Sequence, residues 1–137
     1  MTMLKSVKVS DYLPDRLIKF TPDMNIFRAV DQMLEYKISG APVVDSTGKL
    51  VGILSQRDCL QNVIEGSFYD DSAVTVAHYM TKEVDTIRTD DDVVSVAQKM
   101  IRNNRRRFPV MDDAGHLVGM ITLAEILRVV RDFAEHR

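Results

Sequence analysis

The sequence predicts a mixed α/β (α+β) fold in which one half-unit is built twice. Three observations carry this. Residues 40–60, GAPVVDSTGKLVGILSQRDCL, return at residues 107–127 as RFPVMDDAGHLVGMITLAEIL, 67 residues later and without a gap. The shared positions are those that shape a backbone: Pro42 and Pro109, Asp45 and Asp112, Gly48 and Gly115, and the triplets Leu50-Val51-Gly52 and Leu117-Val118-Gly119. Upstream of each copy lies an apolar pattern at helical spacing. A period of about half the chain is a duplication, and it frames every local motif.

The register extends upstream through Val9/Val76, Tyr12/Tyr79, Asp23/Asp90 and Met33/Met100. Comparing 9–60 with 76–127, 12 of 52 positions are identical, and many others exchange like for like, as in Ile26/Val93, Leu34/Ile101 and Leu54/Ile121. The reading is a first repeat at 7–65, a connector at 66–74, a second repeat at 75–130, and the end of a last helix with a tail at 131–137.

Element by element, Val9 to Leu13 and Val76 to Met80 each suit one helical turn. Leu17 to Phe20 and Val84 to Arg88 suit short strands, the first stopped by Pro22. Asp23 or Asn25 can cap the next helix by accepting from free N–H groups of its first turn. Ile26, Val30, Met33, Leu34 and Ile38 give that helix an apolar face, with Val93, Ala97, Met100 and Ile101 in the second copy. The acidic run Asp90-Asp91-Asp92 is read as helix N-terminal charge in preference to a metal site. Pro42 to Val44 is a short buried strand. Asp45 to Gly48 is turn chemistry with Gly48 at positive φ, and Leu50 to Leu54 is the returning strand. A helix over 56–65 should turn Leu60, Val63 and Ile64 inward and end at Gly66. In the connector, Phe68 and Tyr69 are expected to pack on a neighbouring surface. The last helix, from Leu123 to Glu135, carries Leu123, Ile126, Leu127, Val130, Phe133 and Ala134, widened by Val129. That is more apolar surface than one buried side requires, and it suggests a subunit interface.

Bulk properties narrow the function classes. A half of about 60 residues buries only roughly 60% of its unfolded surface, so the halves are expected to pack on each other. The 45% hydrophobic content is that of a globular domain. Eighteen basic against 20 acidic residues give a net charge of −2, so no overall field attracts nucleic acid or membrane. No apolar run approaches the ~18 residues of a membrane span, and MTMLKSVKVSDYL has no signal-peptide core. The single cysteine, Cys59, excludes an internal disulfide and a cysteine zinc site. A cytoplasmic protein fits. His78, His116 and His136 stand apart from any nucleophile–base or carboxylate pattern, so the chain is not expected to be an enzyme. Cys59 is expected to be packed rather than reactive. Arg102, Arg105, Arg106 and Arg107 are the only basic cluster, too little for nucleic-acid binding against the acidic balance.

With those residues in place, each half resembles a cystathionine-β-synthase-type (CBS) repeat, and the chain resembles a tandem pair, or Bateman module. The resemblance covers about residues 7–130. It rests on Gly40-Ala41-Pro42-Val43-Val44-Asp45, Gly48, Val51-Gly52-Ile53-Leu54 and Ser55-Gln56-Arg57-Asp58. In the second half it rests on Arg107-Phe108-Pro109-Val110-Met111-Asp112, Gly115, Val118-Gly119-Met120-Ile121 and Thr122. It implies two β-α-β-β-α repeats about a pseudo-twofold axis, sheets packed together and helices outside, with two clefts between repeats. It also implies pairing of two chains through helices and a regulatory role as a sensor of adenosine compounds: AMP, ADP, ATP, S-adenosylmethionine or NAD.

The resemblance further implies site residues. A Ser/Thr-x-x-Asp motif after the last strand holds a ribose, since a carboxylate can accept from both hydroxyls; Ser55-Gln56-Arg57-Asp58 matches in full. The bland alternative is a helix cap at Ser55 with Asp58 solvated. Thr122-Leu123-Ala124-Glu125 departs from the motif, with a side chain one methylene longer. Adenine would lie beside Gly40, Ala41, Pro42 and Ile18, with Ser10 nearby. The second repeat offers Arg107, Phe108, Pro109 and Ile87, where Phe108 either stacks on a base or fills the slot. Arg106 and Arg107, with Arg57 assisting, would meet phosphates through their planar donor forks, or simply complement a helix end. Whether magnesium accompanies ATP stays open, and no metal site is expected. No effector domain is present in this sequence, so the regulated protein is expected to be a separate one. The alternatives are a ligand-free dimerisation or docking module and an S-adenosylmethionine or NAD sensor.

Overall fold

A computed structural model describes residues 4–64 and 74–135. They form two compact units that do not follow the boundary between repeats. One unit holds residues 18–64 and 74–84; the other holds residues 4–17 and 85–135. The lead-in segment before each repeat therefore packs with the other repeat.

In the first unit, α1 (Ile26–Glu35) leads to the hairpin β1 (Gly40–Val44) and β2 (Leu50–Ser55), then to α2 (Gln56–Ile64), with the short α3 (Val76–Tyr79) from the incoming arm. Asn25, not Asp23, caps α1: its Oδ1 accepts from the Phe27 N–H at 2.8 Å, while Asp23 accepts from the Thr21 hydroxyl. The hairpin is antiparallel, running from Gly40 opposite Ser55 to Val44 opposite Leu50, with a bulge at Val43/Val44. Its turn is built by Asp45, whose Oδ1 accepts from the N–H groups of Thr47 (2.9 Å) and Lys49 (3.0 Å). Gly48 takes φ +85°, a conformation that suits glycine.

The second unit repeats this plan with 3-10 turns η1 (Leu4–Ser6) and η2 (Val9–Asp11) as its arm, then β3 (Ile87–Arg88), α4 (Val93–Asn103), β4 (Arg107–Met111), β5 (Leu117–Thr122) and α5 (Leu123–Glu135). Asp112 and Gly115 (φ +83°) rebuild the turn. The acidic run is a cap, as expected. Asp92 Oδ1 accepts from the Ser95 N–H at 2.8 Å, and these bonds hold its carboxyl below the usual range. Asp91 accepts from the Arg88 N–H at 2.8 Å.

Both expected lead strands shrink, Val84 to Arg88 to the two residues of β3 and Leu17 to Phe20 to a single bridge. In the second unit β3 pairs parallel with β4, and the Thr89 N–H donates to the Met111 carbonyl. In the first unit only Phe20 bridges to Val43, because the counterpart of Thr89 is Pro22, which has no N–H to donate.

The arms dock by matched bonds. Val76 N–H donates to Met24 O (2.8 Å), Ala77 N–H to Pro22 O (2.9 Å), and Ile26 N–H to Val74 O (2.9 Å). Sixty-seven residues away in register, Val9 N–H donates to Asp91 O, Ser10 N–H to Thr89 O, and Val93 N–H to Val7 O. Each arm thus satisfies the first free N–H of a helix in the other repeat.

The helix faces need correction. Ile26, Ala29 and Met33 fill the core under α1, and Val93, Val96 and Met100 under α4. Leu34 and Ile101, expected inward, are exposed, Ile101 at 79%. Leu60 and Ile64 on α2 are exposed as well, whereas Cys59 is buried; the expectation for the Val63 side chain lies outside what the structure describes. On α5 Ile126 and Val129 are buried, whereas Leu123, Leu127 and Val130 face outward. The expectations for Gly66, Phe68 and Tyr69 lie outside the described residues. No described helix is long and apolar enough to cross a membrane.

Candidate functional site

The site grows out of the junction between β2 and α2. The strand ends at Ser55 and the helix starts at the next residue, so the free N–H groups of the first turn lie at the edge of the hairpin. Ser55 and Asp58 satisfy them reciprocally in a capping box. Ser55 Oγ accepts from the Asp58 N–H at 3.1 Å, and Asp58 Oδ2 accepts from the Ser55 N–H at 2.9 Å and its hydroxyl at 3.0 Å. The other oxygen, Oδ1, accepts from the Thr81 hydroxyl at 3.1 Å. The Gln56 N–H donates to Ser39 O at 2.9 Å, which ties the start of α2 to the approach to β1. Ser55 is buried and Asp58 half-buried.

The capping reading and the binding reading are compatible. A carboxylate offers about four lone-pair sites, and three are used here. The Ser55 hydroxyl can rotate its hydrogen elsewhere and still cap the helix, because its oxygen goes on accepting from the Asp58 N–H. Asp58 then has one open lone pair on each oxygen, which suits a pair of adjacent hydroxyls.

The second copy is poorer. The Thr122 hydroxyl donates to Glu125 Oε1 at 3.0 Å and accepts from the Glu125 N–H at 3.3 Å. Among the described residues its donors all come from Thr122, and no hydroxyl from an arm reaches it. Burial raises its pKa, only partly opposed by the Thr122 bonds and the Arg128 charge. The counterpart of Thr81 is Pro14, which has no hydroxyl.

The structure places the other candidates as follows. Gly40, Ala41 and Pro42 are buried in β1, and Ile18 packs half-buried against the same core. Arg57 is exposed at the start of α2. Ser10 lies on the arm of the second unit, where its N–H donates to Thr89 O at 3.0 Å. Arg106 is exposed, its carbonyl accepting from the Leu123 N–H at 2.8 Å, and Arg107 is half-buried in β4 beside the buried Pro109. Arg105 pairs with Asp85 at 3.1 Å. Phe108 is fully buried, with Lys99 Nζ 5.1 Å from its ring centre, so it fills the core and offers no open face to a base. The Cys59 thiol is pushed up to about 11 by burial and then by the Asp58 charge, so it stays protonated at neutral pH. Among the described residues no group of three or more His, Cys, Asp or Glu is placed to hold a metal ion. Thr81 is the contact that the motif reading missed. Its signal was the Thr81/Pro14 mismatch between repeats, which gains meaning only once the arms are seen to dock in the other unit.

The sequence matches the CBS domain family over residues 9–65 and again over residues 76–132. The chain belongs to the CBS domain family. It is 34% identical over 126 residues to inosine-5'-monophosphate dehydrogenase of Methanocaldococcus jannaschii, covering 91% of this chain but only 24% of the dehydrogenase. An uncharacterised 17.7 kDa protein of Acidianus ambivalens is 27% identical, covering 93% of this chain and 75% of that one. Among solved structures, the CBS domain pair of protein MJ0100 in complex with 5'-methylthioadenosine and S-adenosylmethionine superposes with a TM-score of 0.81 at 30% identity, covering 93% of this chain and 98% of that one. CBSX2 in complex with AMP gives a TM-score of 0.82 at 25% identity, with the same shares covered. CBS-domain pairs are generally regulatory modules rather than catalysts.

Proposed function

We propose that this CBS-domain pair is a regulatory sensor that binds the adenosine part of a small ligand through its first repeat, with AMP, ADP or ATP as the favoured class. The observation that carries the reading is the Asp58 carboxylate, half-exposed at the start of α2 and held on both oxygens by Ser55 and Thr81. The relatives solved with AMP and with S-adenosylmethionine support an adenosine ligand. They also keep S-adenosylmethionine as the second reading, since it shares the ribose and adenine. Arg106 and Arg107 are assigned the phosphates. Glu125, with its weaker set of donors, is assigned the lesser site. The outward-facing apolar residues of the helices are assigned to a homodimer. A separate, cytoplasmic target protein completes the proposal.

The test is a thermal-shift and calorimetry panel of AMP, ADP, ATP, NAD, S-adenosylmethionine and GTP on wild type and Asp58→Ala. Ligand at about 100 times its dissociation constant stabilises by roughly 2.7 kcal/mol, several degrees for a domain of this size. Asp58→Ala is expected to weaken binding by about ten- to a hundredfold, the worth of hydrogen bonds to a charged group. Joint replacement of Arg106 and Arg107 by alanine should weaken ATP more than adenosine. No shift with any adenosine ligand would replace the sensor by a ligand-free docking module.

A further inference from the structure

We infer that Thr81, carried in by the exchanged arm, is a positioning residue for the ligand site: it orients the Asp58 carboxylate, so that binding in the first repeat depends on docking of the arm. The inference rests on the adenosine-sensor reading above.

Thr81 is fixed before it touches Asp58. Its N–H donates to Ile53 O, and its own carbonyl accepts from the Ile53 N–H, both at 2.9 Å. Ile53 stands two residues before Ser55 on β2, so the arm, the strand and the helix start form one frame. From that frame the Thr81 hydroxyl reaches Asp58 Oδ1 at 3.1 Å, while Oδ2 is tied to Ser55. The terminal torsion of an aspartate is broad and weakly constrained by itself. A bond on each oxygen removes that freedom and fixes the plane in which the remaining lone pairs lie. Two adjacent ribose hydroxyls then meet a carboxylate that need not be ordered during binding, and such preorganisation is a direct gain in affinity.

The second repeat lacks the device. Pro14 stands where Thr81 would be, with neither an N–H for the strand nor a hydroxyl for Glu125. No bridge corresponding to Ile53–Thr81 forms there among the described residues. The two repeats therefore differ in how the acidic group is held, and not only in its length.

The experiment is calorimetric titration with AMP, and in a second series with S-adenosylmethionine, on wild type, Thr81→Val, Thr81→Ser, Asp58→Ala and the Thr81→Val/Asp58→Ala pair. Valine keeps the shape and the strand pairing and removes only the hydroxyl. Thr81→Val is expected to weaken binding about tenfold, Thr81→Ser to restore it, and Thr81→Val to add nothing in the Asp58→Ala background, because it acts through that carboxylate. Thr81→Val binding as tightly as wild type overturns the inference and leaves the sensor reading standing. So does an equal loss with and without Asp58, which would mean that Thr81 acts on the fold or on the ligand directly. If wild type binds neither probe, both readings fall together.

Discussion

Asp58 and Glu125 occupy the same position in two copies of one motif, yet their surroundings treat them differently. Asp58 accepts three hydrogen bonds from Ser55 and Thr81. Glu125 is held by Thr122 alone among the described residues and is raised in pKa mainly by burial. A carboxyl raised on folding favours the folded state when protonated. That contribution is fully present below its unfolded pKa, about 4.3 for Glu, and is lost as pH rises through the higher folded value. Glu125→Gln removes the charge and keeps an acceptor for Thr122. At pH 7 the variant is expected to melt at or above the wild-type temperature, and its advantage should shrink as pH falls through the folded pKa of Glu125. Paired melting curves from pH 4 to pH 7 check this; a difference independent of pH would show that the partly buried carboxylate titrates like a free one. The pairs Ser55–Asp58 and Thr122–Glu125 were legible in the sequence because both partners lie within one turn. Thr81 was not, because its bond to Asp58 spans 23 residues and depends on where the arm docks.

The arms also explain two glycines whose role no turn requires. A Cβ on Gly52 would lie 2.6 Å from Met80 Sδ and 3.0 Å from the Thr81 carbonyl oxygen. At the equivalent Gly119 it would lie 2.9 Å from Leu13 Cδ2, with the next contact at 3.5 Å. The end of a leucine can turn away, but a carbonyl that already accepts from the Ile53 N–H cannot do so without breaking the arm from the strand. Gly52→Ala is therefore expected to destabilise by about 1–3 kcal/mol, the usual range for overpacking, and Gly119→Ala by clearly less. Urea unfolding of both variants decides it, and equal losses would mean that the Thr81 backbone is not fixed against β2. Turns and caps were readable because Asp45, Gly48, Asn25 and Asp92 act on their own neighbours. The helix faces were read less well. Periodicity marks an apolar stripe but not its centre, and the small Ala29 was passed over for Leu34, which is exposed. The exchange of arms was not legible, since the bonds that dock each helical turn, such as Val76 N–H to Met24 O and Val9 N–H to Asp91 O, are backbone bonds that either repeat could supply.

Outward apolar residues recur on the long helices of both units: Phe27 and Leu34 on α1, Leu60 and Ile64 on α2, Ile101 on α4, and Leu123, Leu127 and Val130 on α5. Single exposed leucines are ordinary on any surface. The spacing on α5 is not that of scatter, since positions 123, 127 and 130 share one side of the helix, roughly a quarter-turn round from the side buried through Ile126 and Val129. A helix apolar on two sides is stable in water when both are covered, and a second copy of the chain is the partner proposed for the outer one. Leu127, 68% exposed, is the residue to change. Because little of it is buried in the single chain, Leu127→Glu should leave the fold nearly as stable, within about 0.5 kcal/mol, and any loss of assembly will not be a loss of folding. Sedimentation velocity is expected to show wild type at twice the chain mass and Leu127→Glu at the single mass with unchanged helical circular dichroism. Lys49→Glu, in the exposed β1–β2 turn, should remain paired. A wild type that sediments as a single chain would overturn the dimer and leave these faces to the regulated protein. Pairing would also make the melting temperature rise with protein concentration, so the ligand panel must be run at one fixed concentration for its shifts to report binding alone.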